Sequence, residues 1–145
     1  MKLDLRYSEV LPHALPRVWA ALTTADALRE WLMDSDFEPR VGKDFRFLCP
    51  PSPGIRGYVE CKVLELEPMR RVVWSWLSTD TGEPTIVTIE LEPVDEGTRL
   101  TLRHRGDTTA DVRDRTAVGW TQKLLALAEY LGRATSAPER SRDAP

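Results

Sequence analysis

The stretch Gly97-Thr98-Arg99-Leu100-Thr101-Leu102-Arg103-His104-Arg105-Gly106, with the segment that follows it, decides the fold. Its less polar side chains recur at every second position, so Leu100, Leu102 and His104 share one face of a strand. After Gly106 the period changes. Trp120, Leu124, Leu127 and Leu131 fall at i, i+4, i+7 and i+11, a single apolar stripe along a helix of about 24 residues. Thr109 or Asp111 can cap that helix. Gly119 sits inside it, where glycine costs about 1 kcal/mol relative to alanine. It is either a tolerated break or a thinned helix surface that lets a strand or a ligand approach.

Working back from this stretch, the period of two repeats. Asp95-Glu96-Gly97 is a hairpin turn, preceded by a strand that points Val87, Ile89 and Leu91 inward. Thr81-Gly82-Glu83-Pro84 turns the chain, and Arg71 to Ser78 places Val72, Trp74 and Trp76 on one side. Gly57 to Leu66 turns Val59, Cys61 and Val63 inward, and residues 43–49 do the same with Phe45, Phe47 and Cys49. Pro50-Pro51-Ser52-Pro53-Gly54 between them fits neither helix nor central strand and is a hairpin loop. A loop closing symmetrically about Pro53 sets Cys61 opposite Phe45 and Cys49 opposite Gly57. The two cysteines are then not partners in a disulfide.

Nearer the start, Leu3, Leu5 and Tyr7 alternate with Asp4, Arg6 and Ser8 in a first strand. Glu9, at its end, reaches either a cavity rim or solvent. Pro12 and Pro16 stop the strand and open a short helix striped by Val18, Trp19 and Leu22. A second short helix begins near Thr23 or Thr24, with Asp26 in its first turn and Leu28, Trp31 and Leu32 on its buried side. The expected architecture is α+β: a strand, two short helices, a curved antiparallel sheet of about six to seven strands in all, and a long C-terminal helix covering its apolar face. Residues 1–134 form one domain, and 135–145 are expected to be a disordered tail without apolar periodicity.

Composition narrows the function. The 145 residues are 41% hydrophobic and carry a net charge of −3, which argues against general nucleic-acid binding. Arg99, Arg103 and Arg105 share one strand face, which reads as a solvated surface laced with ion pairs. Two cysteines and two histidines supply no four-ligand zinc spacing, and neither a phosphate loop nor any cofactor motif appears. No apolar run is long enough to span a membrane, and the start lacks a signal-peptide core, so a cytoplasmic location is expected.

Several words of the sequence together resemble the SRPBCC (START-like, birch-pollen-allergen-like) superfamily. They are Pro16-Arg17-Val18-Trp19-Ala20-Ala21-Leu22-Thr23, Leu28-Arg29-Glu30-Trp31-Leu32 and Phe37-Glu38-Pro39-Arg40-Val41-Gly42. Further along come Gly57-Tyr58-Val59, Glu67-Pro68-Met69-Arg70-Arg71-Val72-Val73-Trp74-Ser75-Trp76, Gly97-Thr98-Arg99-Leu100-Thr101-Leu102 and Gly119-Trp120. Their order, over about residues 5–133, is similar to one branch in particular, the domain of activators of the heat-shock protein 90 ATPase and their small bacterial relatives. The resemblance implies a helix-grip fold with a hydrophobic cavity between sheet and long helix, and homodimerisation. Eukaryotic co-chaperones of this branch carry a separate N-terminal domain that drives chaperone activation. This chain is expected to begin at the first strand, without that domain.

One fold hosts many functions, so the site must argue for itself. The inward set yields Phe45, Phe47, Trp74, Trp76, His104, Trp120 and Leu124 as candidate ligand-binding residues, an apolar wall with one polar group to fix orientation. Three readings follow. The first is a binding protein for a small hydrophobic or aromatic molecule, with His104 orienting it. The second is a cyclase- or hydrolase-type enzyme with His104 as acid–base, or as partner of a cysteine nucleophile. The third is a co-chaperone-like interaction module with a filled core. No catalytic residue is assigned, and His13, in a surface turn, receives no role.

Overall fold

The computed structural model describes residues 2–50, 56–80 and 82–143, with side chains as far as residue 133. The chain runs β1 (Lys2–Leu11), α1 (Leu15–Leu22), α2 (Ala25–Trp31), β2 (Asp34–Ser35), β3 (Asp44–Leu48), β4 (Tyr58–Glu67), β5 (Arg71–Leu77), β6 (Thr85–Val94), β7 (Gly97–Asp107) and α3 (Ala110–Asp143). The strands form one sheet in the order β1-β7-β6-β5-β4-β3-β2, and every pairing is antiparallel. This is the expected helix-grip arrangement. Most of the β3–β4 loop, Pro51–Ile55, lies outside the described residues, as do Thr81 and the side chains of the tail expected at 135–145.

Alternation decides which face is core. Phe45, Phe47, Val59, Cys61, Val63, Trp74, Val87, Ile89, Leu100 and Leu102 are all buried, as are Trp120, Leu124, Leu127 and Leu131 on the facing stripe of α3. A register shift between Val63 and Glu65 interrupts the β4 pattern and bends the strand. The outward arginines pair across strands, Arg99 with Glu92 at 3.1 Å and Arg103 with Asp4 at 3.1 Å, as a solvated strand face should.

Capping fixes where the helices begin. Thr24 is the N-cap of α2, its hydroxyl accepting from the Ala27 N–H at 3.3 Å, and Thr109 serves α3 by accepting from the Val112 N–H at 3.2 Å. At the other end of the sheet, Gly97 has φ +142, and a Cβ there would lie 2.2 Å from the Leu11 carbonyl oxygen. That contact brings the β6–β7 turn against the exit of β1, where the Thr98 hydroxyl donates to the His13 carbonyl at 2.8 Å.

A buried hydrogen-bond chain joins α3 to the sheet. Trp120 Nε1–H donates to His104 Nδ1 at 2.9 Å. Indole nitrogen is only a donor, so Nδ1 must accept and the imidazole proton resides on Nε2. Nε2 stands 2.6 Å from the Thr85 hydroxyl, which donates onward to the Trp76 carbonyl at 3.0 Å. Burial holds the His104 pKa down to about 4, against an ordinary 6.5.

Two predictions test these constraints. Between pH 6.5 and 4 the unfolded chain takes up a proton at His104 that the folded chain refuses. Stability from this group is therefore complete above pH 6.5 and falls by roughly 3 kcal/mol as pH drops through that window. In His104→Gln, which can accept from Trp120 and donate to Thr85, urea denaturation should lose that part of the acid sensitivity; an unchanged pH profile contradicts the assignment. Gly97→Ala should lower stability by about 2–3 kcal/mol, because backbone rather than a flexible side chain must move. An unchanged urea midpoint would refute the close approach.

Candidate functional site

Between the sheet and the first half of α3 lies an open cavity of about 220 Å³. Val59 of β4 and Trp76 of β5 make its floor, and Leu32 and Met33, at the end of α2, close one side together with Cys49. The roof comes from α3: Val112, Arg115, Thr116, Gly119, Trp120 and Lys123. Ser78 and Thr79 line it just beyond β5. Arg56 fastens that segment, donating from Nη2 to the Leu77 carbonyl at 2.6 Å and from Nη1 to Asp80 at 3.1 Å.

Gly119 explains why there is space. Nothing lies within 4 Å of where its Cβ would be, so no strand approaches it. The gap it leaves opens onto the cavity, between Arg115 and Lys123 at i−4 and i+4 on the same helix face.

The seven residues expected to line a site divide into two groups. Trp76 and Trp120 form the wall, their rings 5.4 Å apart and tilted by 44°. Phe45, Phe47, Trp74 and Leu124 lie behind it in the core. There the aromatic rings continue edge to face, Phe45–Phe47 at 5.3 Å and Phe47–Trp74 at 5.6 Å, and Phe47 meets Trp76 at 5.6 Å with the rings tilted by 42°. They back the wall and hold Trp76 in place without lining the cavity. His104 borders a separate small void of about 20 Å³ beside Trp76, and both of its nitrogens are engaged by Trp120 and Thr85. A ligand in the main cavity finds neither a free lone pair nor a free N–H on that ring.

The cysteines stand as the symmetric loop requires: Cys61 pairs in register with Phe45, and the Cys49 N–H donates to the Gly57 carbonyl at 2.9 Å. Both are free thiols. Burial pushes the Cys61 thiol far up, away from thiolate chemistry, and its Sγ faces the Val59 carbonyl at 3.9 Å. Glu9 does not line the cavity; it is half-buried, and burial raises its carboxyl pKa.

Several lining residues escaped the sequence reading: Met33, Ser78, Thr79, Val112, Arg115, Thr116 and Lys123. Periodicity sorts residues by face, and these sit at element ends or on the flank of the α3 stripe. The available signal was the spacing Arg115-x3-Gly119-x3-Lys123, a small residue between two cations on one helix face. Among the described lining residues there is no histidine or carboxylate. The arrangement can enclose an apolar body and offer it hydroxyls and positive charge, but it presents no general base of ordinary acidity.

Comparison with known proteins agrees with this geometry. The family model for "Activator of Hsp90 ATPase homolog 1-like protein" matches residues 13–132. A Mesorhizobium loti protein of known structure is 27% identical, with a TM-score of 0.80 over 90% of this chain and 97% of its own. A Bacillus halodurans protein is 26% identical, with a TM-score of 0.72 over 88% of this chain and 96% of its own. DynU16, from the dynemicin biosynthetic locus, is 22% identical and shares the fold (TM-score 0.76) over 89% of this chain and 47% of its own length. No curated protein matches. Among the described residues no helix is long and apolar enough to cross a membrane. With its matched residues spanning both short helices, strands β2 to β7 and the cavity-lining part of α3, the chain belongs to the Activator of Hsp90 ATPase homolog 1-like family.

Proposed function

We propose that this protein binds a small hydrophobic or aromatic molecule in the cavity beneath α3, with the ligand lying against Trp76 and Trp120. The observation that carries this reading is the cavity itself, an apolar space of about 220 Å³ with two indoles in its wall. Aromatic faces supply large contact area, and few polar groups are needed to orient a ligand. The family resemblance points the same way, since related domains hold hydrophobic ligands between sheet and long helix. A role in binding is better supported than acid–base catalysis, because His104 is neutral and fully hydrogen-bonded. The two free thiols suit a reducing, cytoplasmic compartment.

The test separates binding from folding. Naphthalene, 2-naphthol and a medium-chain acyl amide are titrated while the indole N–H resonances are followed by NMR. Saturable shifts should concentrate on Trp76 and Trp120. Gly119→Leu should abolish them by filling the cavity, while stability holds or rises by roughly 0.5–1 kcal/mol from the better helix former. Binding unaffected by Gly119→Leu, or no shift with any of the compounds, would rule out this site.

A further inference from the structure

The charge at the cavity mouth is one-sided. Arg115 and Lys123 both line it from α3, eight residues and therefore about 12 Å apart along the helix axis. Arg115 is already engaged by Asp111 at 2.8 Å. Lys123 is different: it is half-buried, and no carboxylate among the described residues pairs with it. The Ser78 hydroxyl on the opposite wall makes no hydrogen bond to another described residue. Glu83 borders only the smaller neighbouring void. This local excess of positive charge stands out in a chain whose net charge is −3 and whose other basic side chains mostly meet acids across strands or along helices.

A half-buried ammonium without a counter-ion beside an apolar cavity is a recognition element for an anion attached to an apolar body. We propose that the ligand is a hydrophobic or aromatic carboxylate, its ring or chain against Trp76 and Trp120 and its carboxylate at Lys123, with the Ser78 hydroxyl as a second donor. This rests on the binding function proposed above and adds the class of ligand. Gly119 is the element that lets both ends be satisfied, because it leaves the helix surface low between the two cations. Arg115 is already paired with Asp111, and Lys123 contributes the contact.

An isosteric pair tests the charge separately from the cavity. 2-Naphthoate and 2-naphthamide are titrated against the whole chain at neutral pH, with Trp76 and Trp120 indole shifts as the readout. Naphthoate should bind about tenfold more tightly at low salt. That preference should shrink as ionic strength rises from about 0.01 M to about 1 M, where the screening length falls from about 30 Å to about 3 Å. Lys123→Gln should weaken naphthoate several-fold and leave naphthamide unchanged, Lys123→Arg should restore most of the difference, and Arg113→Gln, away from the cavity, should do nothing. Equal affinity for both compounds in the unaltered protein overturns the carboxylate assignment and leaves the cavity reading standing. If neither compound binds, both fall together.

Discussion

The chain Trp120–His104–Thr85–Trp76 is the constraint on which the rest of the site depends. A helix lying over a curved sheet can roll about its axis at little cost as long as its contacts are purely apolar. A directional hydrogen bond from the first half of the helix removes that freedom. With the Trp120 nitrogen bound to His104, its ring must stand beside Trp76, and the two rings then form one wall. Each member of the chain is satisfied once the imidazole is neutral with its proton on Nε2. A second proton, on Nδ1, would confront the indole N–H. Burial and geometry thus agree on a histidine that holds structure and keeps out of proton transfer.

Much of the fold could be read from alternation because one buried face leaves a sheet little choice. Slipping any strand by one residue would turn Phe45 and Phe47, or Trp74 and Trp76, toward solvent. The hairpin register followed from the same logic. Cys61 opposite Phe45 depends only on a loop centred on Pro53, and the pairing on both sides of that loop obeys it. The choice between Thr23 and Thr24, or between Thr109 and Asp111, was not legible. Each member of these pairs carries an oxygen suited to capping, and the decision rests on backbone dihedrals that tertiary packing sets.

The site was less legible than the fold, for a related reason. Parity tells which face a side chain occupies but not how far below that face the packing closes. Phe45, Phe47, Trp74 and Trp76 share one face, yet Trp76 alone of these four borders the open space. The closure depends on where α3 crosses, and that crossing is fixed by His104, a residue whose inward position was clear but whose partners were not. Thr85 and Trp120 lie 19 and 16 residues from it in sequence. Only the assembled sheet and helix show that both ring nitrogens are occupied from opposite sides.

The cavity roof is one place where a local rule of stability is broken. Many elements follow their intrinsic preferences: threonine caps on α2 and α3, proline in the first turn of α1, aliphatic and aromatic side chains along the inner strands. In the first half of α3 the helix carries glycine, flanked one turn away on each side by a cation, beside two indoles. A fold optimised for its own stability would place a larger side chain there, gaining helix propensity and burying ring surface together. This departure lines the cavity in which the proposed function places its ligand. The missing side chain at residue 119 and the uncompensated charge at residue 123 lie one helical turn apart, on the same wall of the same cavity. A single kind of occupant, apolar in body and negative at one end, accounts for both departures.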